Sequence, residues 1–352
     1  MRIFESRLWN KDIEEVEETI PELEELNGKN ILITGASGLV CSPIVDILLH
    51  NNATHNSFIK LYIAGRSAPL MKSRFGLLEG RADIVYINYD ATRADNEIPE
   101  QIDYIIHGAS NASPNVIVKE PVETMLSNYI GIKYLLDYAV SNHVKRVLYV
   151  SSSEVYGNKS NNKPYSESEY GSIDILKSRN SYSISKCAAE TMCAAYHDEY
   201  GVDSVIVRPG HIYGPTASKN DSRVGSAWAY AAAKGENIVM KSDGRQKRSY
   251  VYALDCASAI LKVLLIGKTG CAYNISNPNS LITISDLGKM LAEFGNVELT
   301  VARPNEDDKC MFNPMTNSTL DSMRLLELGW HGCFDAARGL KHTVDIIKEL
   351  LC

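Results

Sequence analysis

The chain has 352 residues, 45% of them hydrophobic, which is enough to build one large α/β unit or two interlocked lobes around a sizeable core. A net charge of −7, with no basic run and no basic tract interleaved with aromatics, speaks against a nucleic-acid partner. No apolar run approaches the ~18 residues of a membrane span, and the start Met1-Arg2-Ile3-Phe4-Glu5-Ser6-Arg7 has no apolar signal region. A soluble cytoplasmic protein without a membrane partner is therefore expected, its eight Cys being reduced thiols rather than disulfides or a metal site.

Lys11 to Leu26 is rich in Glu, with Ile13, Val16, Ile20, Leu23 and Leu26 at helical spacing, and Pro21 should start a second short helix. Residues 1–28 are read as an acidic helical extension packed on the surface of the main fold. Asn30 to Thr34 is a short buried strand. It runs into Gly35-Ala36-Ser37-Gly38-Leu39-Val40-Cys41 and a helix from Ser42 to His50. Glycines between a strand and a helix let the backbone approach a pyrophosphate at the helix N-terminus. Ile59 to Ala64 is the second strand. Its end carries Gly65-Arg66-Ser67 where an acidic residue usually takes the ribose 2′-hydroxyl of NAD, so Arg66 could bind a 2′-phosphate or stack on adenine. The cofactor choice between NAD and NADP stays open. The third strand, Asp83 to Asp90, brings Asp90 toward the adenine amine.

The fourth strand, Asp103 to His107, leads into Gly108-Ala109-Ser110-Asn111-Ala112-Ser113-Pro114, small residues past which a cofactor can run. His107 reads either as a packed strand-end side chain or as a cofactor ligand. Helical tracts follow around Pro121 to Ser141, with Asn128 inside. The fifth strand, Val144 to Val150, delivers Ser151-Ser152-Ser153-Glu154-Val155-Tyr156-Gly157 to the carboxyl edge of the sheet, where open α/β sheets bind ligands. Next come Tyr182 and Lys186, one helical turn apart on one face. A free phenol titrates near ~10, and a neighbouring ammonium should lower that value and make Tyr182 a usable base. A sixth strand spans Ser204 to Arg208. After it the alternation loosens: Asp221 to Val224, Ile238 to Met240 and Gly244 to Tyr250 read as loops and short strands carrying cations, Ala253 to Ile266 as a helix returning to the main body, and 270–352 as a smaller mixed lobe.

Taken together these motifs resemble the extended short-chain dehydrogenase/reductase family of nucleotide-sugar epimerases, dehydratases and decarboxylases. They are the glycine loop, Ser-Ser-Glu-Val-Tyr-Gly, Tyr-x-x-x-Lys, Arg-Pro-x-x-x-Tyr-Gly-Pro and Gly-Arg-Gln-x-Arg-Ser-Tyr, and the likeness covers roughly residues 29–345. The resemblance implies an α/β fold with a Rossmann-type doubly wound parallel sheet at 29–208 and 249–267. A smaller mixed α/β nucleotide-sugar lobe is implied at 209–248 and 268–352. It also implies a tightly bound dinucleotide touching Gly35, Ser37, Gly38, Leu39, Arg66, Asp90, His107, Ala109, Ser110, Asn128, Lys186, Pro209 and His211. A homodimer through helices near 121–141 and 182–200 is implied too. Cys41 stands where the family's glycine loop carries its third Gly.

Among the family's branches the chain looks most like UDP-glucuronate decarboxylases. Dehydratases carry Asp-Glu where Ser153-Glu154 stands here, and Gal-type epimerases usually lack the Glu. His107 to Pro114 is similar to the decarboxylases' His-Leu-Ala-Ser-x-Ala-Ser-Pro, and Arg179 lies three residues before Tyr182, as in those enzymes. The implied roles follow from the same resemblance. Tyr182, Lys186 and Ser152 act at the sugar C4 hydroxyl, and Glu154 manages the C5 proton after carbon dioxide leaves. Ser110, Ser153 and Arg179 touch substrate, and Arg223 and Arg248 grip its diphosphate. A 4-epimerase, a 4,6-dehydratase and an NADPH-dependent keto-sugar reductase are the alternative enzymes. A cofactor-binding scaffold acting through the acidic N-terminal helix is the alternative of another class.

Overall fold

A seven-stranded parallel sheet with order 3-2-1-4-5-6-10 runs through the molecule. The structure is a computed structural model and describes residues 2–76, 80–99, 101–305, 312–313, 315 and 317–352. Helix α1 (Arg7–Glu17) precedes strand β1 (Asn30–Thr34), helix α2 (Cys41–His55), strand β2 (Lys60–Gly65) and helix α3 (Ala68–Phe75). Strands β3 (Ile84–Asn88) and β4 (Tyr104–His107) follow, then helices α4 (Pro114–Lys119) and α5 (Pro121–Asn142) and strand β5 (Arg146–Val150). Helix α6 (Ser181–Tyr200) and strand β6 (Ser204–Pro209) complete this part. The central strands are buried along almost their whole length, as strands covered by helices on both faces must be. One core cluster lies under α2, a second under α5 and α6, and a small third joins Val155, Tyr156, Tyr165, Met315 and Leu320.

Beyond β6 come strand β7 (His211–Tyr213), helix α7 (Val224–Lys234), strands β8 (Ile238–Met240) and β9 (Lys247–Tyr252), and helix α8 (Ala253–Ile266). Helix α7 fills the stretch between residues 221–224 and 238–240, which the sequence left without an assigned element. Its Ala-rich run favours helix, and Gly235, in the left-handed region at φ 73°, ends it. Strand β10 (Ala272–Ile275) corrects the lobe boundary drawn at residue 268. It pairs in parallel with β6, Ala272 opposite Ile206 to Ile275 opposite Pro209, and is the edge strand of the main sheet. Strand β11 (Leu281–Thr283), helix α9 (Ile284–Gly295) and strands β12 (Leu299–Val301) and β13 (Asn317–Ser318) follow. β11, β13 and β7 all join β9, whereas β12 pairs with β8.

The N-terminal segment is built into the core rather than laid on the surface. Ser6 caps α1 by accepting the Trp9 N–H, and Pro21 opens a single turn of 3₁₀ helix, Pro21–Leu26. Trp9, Ile13, Val16, Ile20, Leu23 and Leu26 are buried in the same cluster as α2 and α8. Three of its acids, Asp12, Glu15 and Glu17, are paired within the chain. Asp12 accepts from the Tyr252 hydroxyl at 2.9 Å and meets His342 Nδ1 at 3.0 Å. Glu15 holds Arg338 at 2.6 Å, and Glu17 accepts from Asn51 at 2.6 Å beside His50.

Candidate active site

At the carboxyl ends of β1, β4, β5 and β6 the sheet meets the N-terminal part of α6. Gly35 turns the chain out of β1 at φ +68°, and a Cβ there would lie 2.8 Å from the Gly108 carbonyl carbon. Gly38 is exposed, Ser37 half-buried and Leu39 buried, its carbonyl accepting from Thr216 Oγ1 at 3.0 Å. Cys41 is buried at the first residue of α2, its sulfur against Gly108. Thr34 Oγ1 bonds His107 Nδ1 at 2.7 Å and accepts the Ala109 N–H at 3.3 Å, tying the end of β1 to the end of β4.

Several buried polar atoms here have no partner within the protein: His107 Nε2, Ser110 Oγ, Asn128 Oδ1 and His211 Nδ1. Unpaired buried polar atoms are costly, so a row of them along the strand ends fits a polar ligand such as a dinucleotide. The glycine at position 35 is required by the close approach of the Gly108–Ala109 backbone and by its positive φ. His107 is held neutral, its pKa pushed down to about 3 by burial and then by Lys186. His211 is also pushed down to about 3, by burial and then by Arg248 and Arg223. Arg66 is exposed at the end of β2 and donates to Asn111 Oδ1 at 3.3 Å. Asp90 is engaged in its own turn, accepting from the Thr92 N–H at 2.9 Å and the Thr92 hydroxyl at 2.8 Å. Pro209 is buried at the end of β6.

Tyr182 and Lys186 are both buried on α6, with Lys186 Nζ 5.8 Å from the Tyr182 ring centroid and 2.8 Å from the Val150 carbonyl oxygen. The expectation that Lys186 lowers the Tyr182 pKa is corrected for the protein alone. The phenol is pushed up to about 12, by burial first and the Glu154 carboxylate second, while a hydrogen bond from Ser152 and the charges of Arg223 and Arg179 oppose the rise. Lys186 itself is pushed down to about 7 by burial, so much of its charge is lost near neutrality.

Ser152 caps the short turn Ser153–Tyr156 by accepting the Glu154 N–H at 3.1 Å, and Ser153 is buried within that turn. Glu154 Oε2 accepts from Ser183 Oγ at 3.0 Å and meets Arg179 Nη1 at 3.4 Å. Its Oε1 accepts from Asn313 Nδ2 at 3.3 Å. The Arg179 side chain is only 14% exposed and its Nε has no partner, so it faces the site rather than solvent. Arg223 is paired with Asp221. Arg248 is buried and donates to the Met315 carbonyl at 2.8 Å. The sequence reading missed Ser183, Asn313 and Glu190. The first two meet Glu154 across the fold. Glu190, four residues after Lys186, accepts from Arg208 Nε and Nη2 and from the Ser151 hydroxyl. Only the Lys-x-x-x-Glu spacing could have pointed to Glu190.

A family signature described as the NAD dependent epimerase/dehydratase family matches residues 31–276. The chain is 30% identical over 332 residues to UDP-glucuronic acid decarboxylase 1 of Xenopus tropicalis, covering 94% of this chain and 74% of that protein. Among solved structures it is similar to the UDP-glucose 4-epimerase of Thermotoga maritima, with a TM-score of 0.78, 24% identity and coverage of 92% of this chain and 100% of that one. It is also similar to the dTDP-glucose 4,6-dehydratase of Streptomyces venezuelae with NAD bound, with a TM-score of 0.79, 22% identity and coverage of 91% and 97%. With the parallel sheet, the glycine turn and the Tyr-x-x-x-Lys helix all in their family places, the chain belongs to the NAD dependent epimerase/dehydratase family of nucleotide-sugar enzymes.

Proposed function

We propose that this enzyme removes the C6 carboxylate of a UDP-glucuronate-like nucleotide sugar after transient oxidation at C4. The observation that carries the reading is Glu154, preceded by Ser153 rather than an acid and lying in hydrogen-bonding reach of both Arg179 and Ser183 beside Tyr182. A bound nicotinamide would supply the acceptor for the C4 hydride and return it at the end of the cycle. Tyr182, with Ser152 hydrogen-bonded to it, takes the proton of the C4 hydroxyl. Its phenol lies too high to ionise unaided at neutral pH, and the Ser152 hydrogen bond with the charges of Arg223 and Arg179 is what opposes that rise. The resulting ketone is β to the carboxylate and accepts the electrons as carbon dioxide leaves. Glu154 then handles the proton at C5. Ser110, Ser153 and Arg179 are the proposed sugar contacts, Arg223 and Arg248 the proposed diphosphate contacts, and His211 a proposed cofactor contact.

The nucleotide sugar is proposed to lie between the sheet's carboxyl edge and the segments after β6. Homodimer formation is part of the proposal, because Val122, Met125, Leu126 and Tyr129 expose an apolar face of α5 at helical spacing. Among the described residues no helix is long and apolar enough to cross a membrane. The proposed setting is the cytoplasm, in the supply of precursors for surface polysaccharide.

The test is mass spectrometry of the purified protein with UDP-glucuronate and either NAD or NADP. A product lighter by one carbon dioxide is expected, and the faster cofactor identifies what Arg66 selects. An isomer of unchanged mass would replace the proposal with a 4-epimerase. Stoichiometric consumption of NADPH would replace it with a reductase.

A further inference from the structure

Glu154 is gripped by three donors from two separate stretches of chain. Ser183, in the first turn of α6 and adjacent to Tyr182, reaches Oε2 at 3.0 Å. Arg179, in the turn before α6, approaches the same oxygen at 3.4 Å. Asn313 reaches Oε1 at 3.3 Å from a residue 159 positions away in the chain. The Asn313 side chain is itself fixed, its Oδ1 accepting the Met315 N–H at 2.9 Å, and the Met315 carbonyl receives Arg248 at 2.8 Å. A serine inside a helix commonly turns its hydroxyl back to the carbonyl one turn earlier. Buried Ser183 instead directs its hydroxyl to the carboxylate.

We infer that Ser183 and Asn313 are positioning residues that hold Glu154 in one orientation for the step at C5. This rests on the decarboxylase reading. In that step the C5–C6 bond of the 4-keto uronate breaks, carbon dioxide leaves, and the bonding pair moves into the C4 carbonyl as an enolate. C5 then takes one proton and the ketone re-forms, ready for the hydride to return to C4. Tyr182 serves C4, whereas the neighbouring side chain on the same helix serves C5 by way of Glu154. Two donors on two oxygens leave the carboxyl group little freedom to rotate, and misplacement of a reacting group by about 1 Å can cost on the order of a hundredfold in rate. Asn313 also couples the Arg248 end of the site to the catalytic acid, through Met315.

The experiment compares the wild-type chain with Ser183→Ala, Ser183→Thr and Asn313→Ala in single turnovers with UDP-glucuronate and NAD. Cofactor reduction reports C4 oxidation, and carbon dioxide release with return of the cofactor to its oxidised form reports the later steps. Ser183→Ala and Asn313→Ala are expected to leave C4 oxidation within about twofold of wild type and to slow the later steps roughly ten- to a hundredfold, with keto-sugar accumulating. Ser183→Thr, which keeps the hydroxyl, is expected to recover most of the loss. A parallel fall in both phases would mean a merely structural role and overturns the inference, as does no change in either. A wild-type protein that releases no carbon dioxide overturns the decarboxylase reading and this inference together. Normal wild-type release with unaffected variants overturns the inference alone.

Discussion

The sulfur of Cys41 fills the space beside the Cα of Gly108: a Cβ built on Gly108 would lie 2.3 Å from it. The thiol at the start of α2 and the missing side chain at the end of β4 are complementary, and the contact between α2 and β4 stays filled. Gly108→Ala is expected to overpack this contact and cost about 1–3 kcal/mol in urea unfolding. Adding Cys41→Gly should return much of that loss, and a double-mutant cycle reads the coupling directly.

Burial of Lys186 makes a prediction with a definite sign. Its pKa falls from 10.5, the ordinary value for a solvated lysine, to about 7 in the fold, so between those values the unfolded chain holds a proton that the folded protein does not. The cost of the buried charge is full below about pH 7 and fades as the pH rises toward 10.5. Lys186→Met, of similar length, should abolish turnover yet raise stability at pH 7 by on the order of 1–3 kcal/mol, the gain shrinking toward pH 10. Thermal melts across that range check it.

Tyr182→Phe removes the phenol proposed as the C4 base and should lower turnover by about 10²–10⁴-fold, with dinucleotide affinity by calorimetry unchanged. Because Glu154 is the second cause of the raised Tyr182 pKa, Glu154→Gln should bring that pKa down. The difference in alkaline ultraviolet titration between Glu154→Gln and Glu154→Gln/Tyr182→Phe isolates the phenol.

Arg208 is 3% exposed and has an acceptor for each arm of its guanidinium. Nε and Nη2 hold Glu190, at 3.0 and 2.6 Å, Nη1 reaches the Tyr156 hydroxyl and the Glu167 carbonyl, and Nη2 also reaches the Tyr170 hydroxyl. A lysine cannot supply this fork. Arg208→Lys should lose about 3–5 kcal/mol, because it leaves a largely buried carboxylate half-satisfied next to the Lys186 turn.

The N-terminal segment should prove indispensable to folding. Trp9 is fully buried, donates to Asp46 Oδ2 at 3.0 Å and packs edge-on to Tyr252. Trp9→Ala is expected to cost about 3–5 kcal/mol in chemical denaturation. A segment whose apolar face is buried inside its own chain offers a docking partner little apolar surface. Retention of full stability in that variant would return the scaffold reading to consideration.

Much of the framework could be read from local pattern. β1, the turn at Gly35, α6 and α8 lie where short buried runs, a glycine pair and helical spacing put them, and Tyr182 and Lys186 share a face because one helical turn separates them. Such signals live within a few residues, so a single sequence carries them. What stayed hidden depends on partners far apart in the chain. β10 joins the main sheet through its register with β6, Asp12 finds His342 at a separation of 330 residues, and Glu154 finds Asn313 at 159. The direction of the Tyr182 shift was hidden for the same reason. The spacing shows the ammonium one turn away, but burial and the Glu154 carboxylate, which decide the sign, arise only when separate segments close around the site.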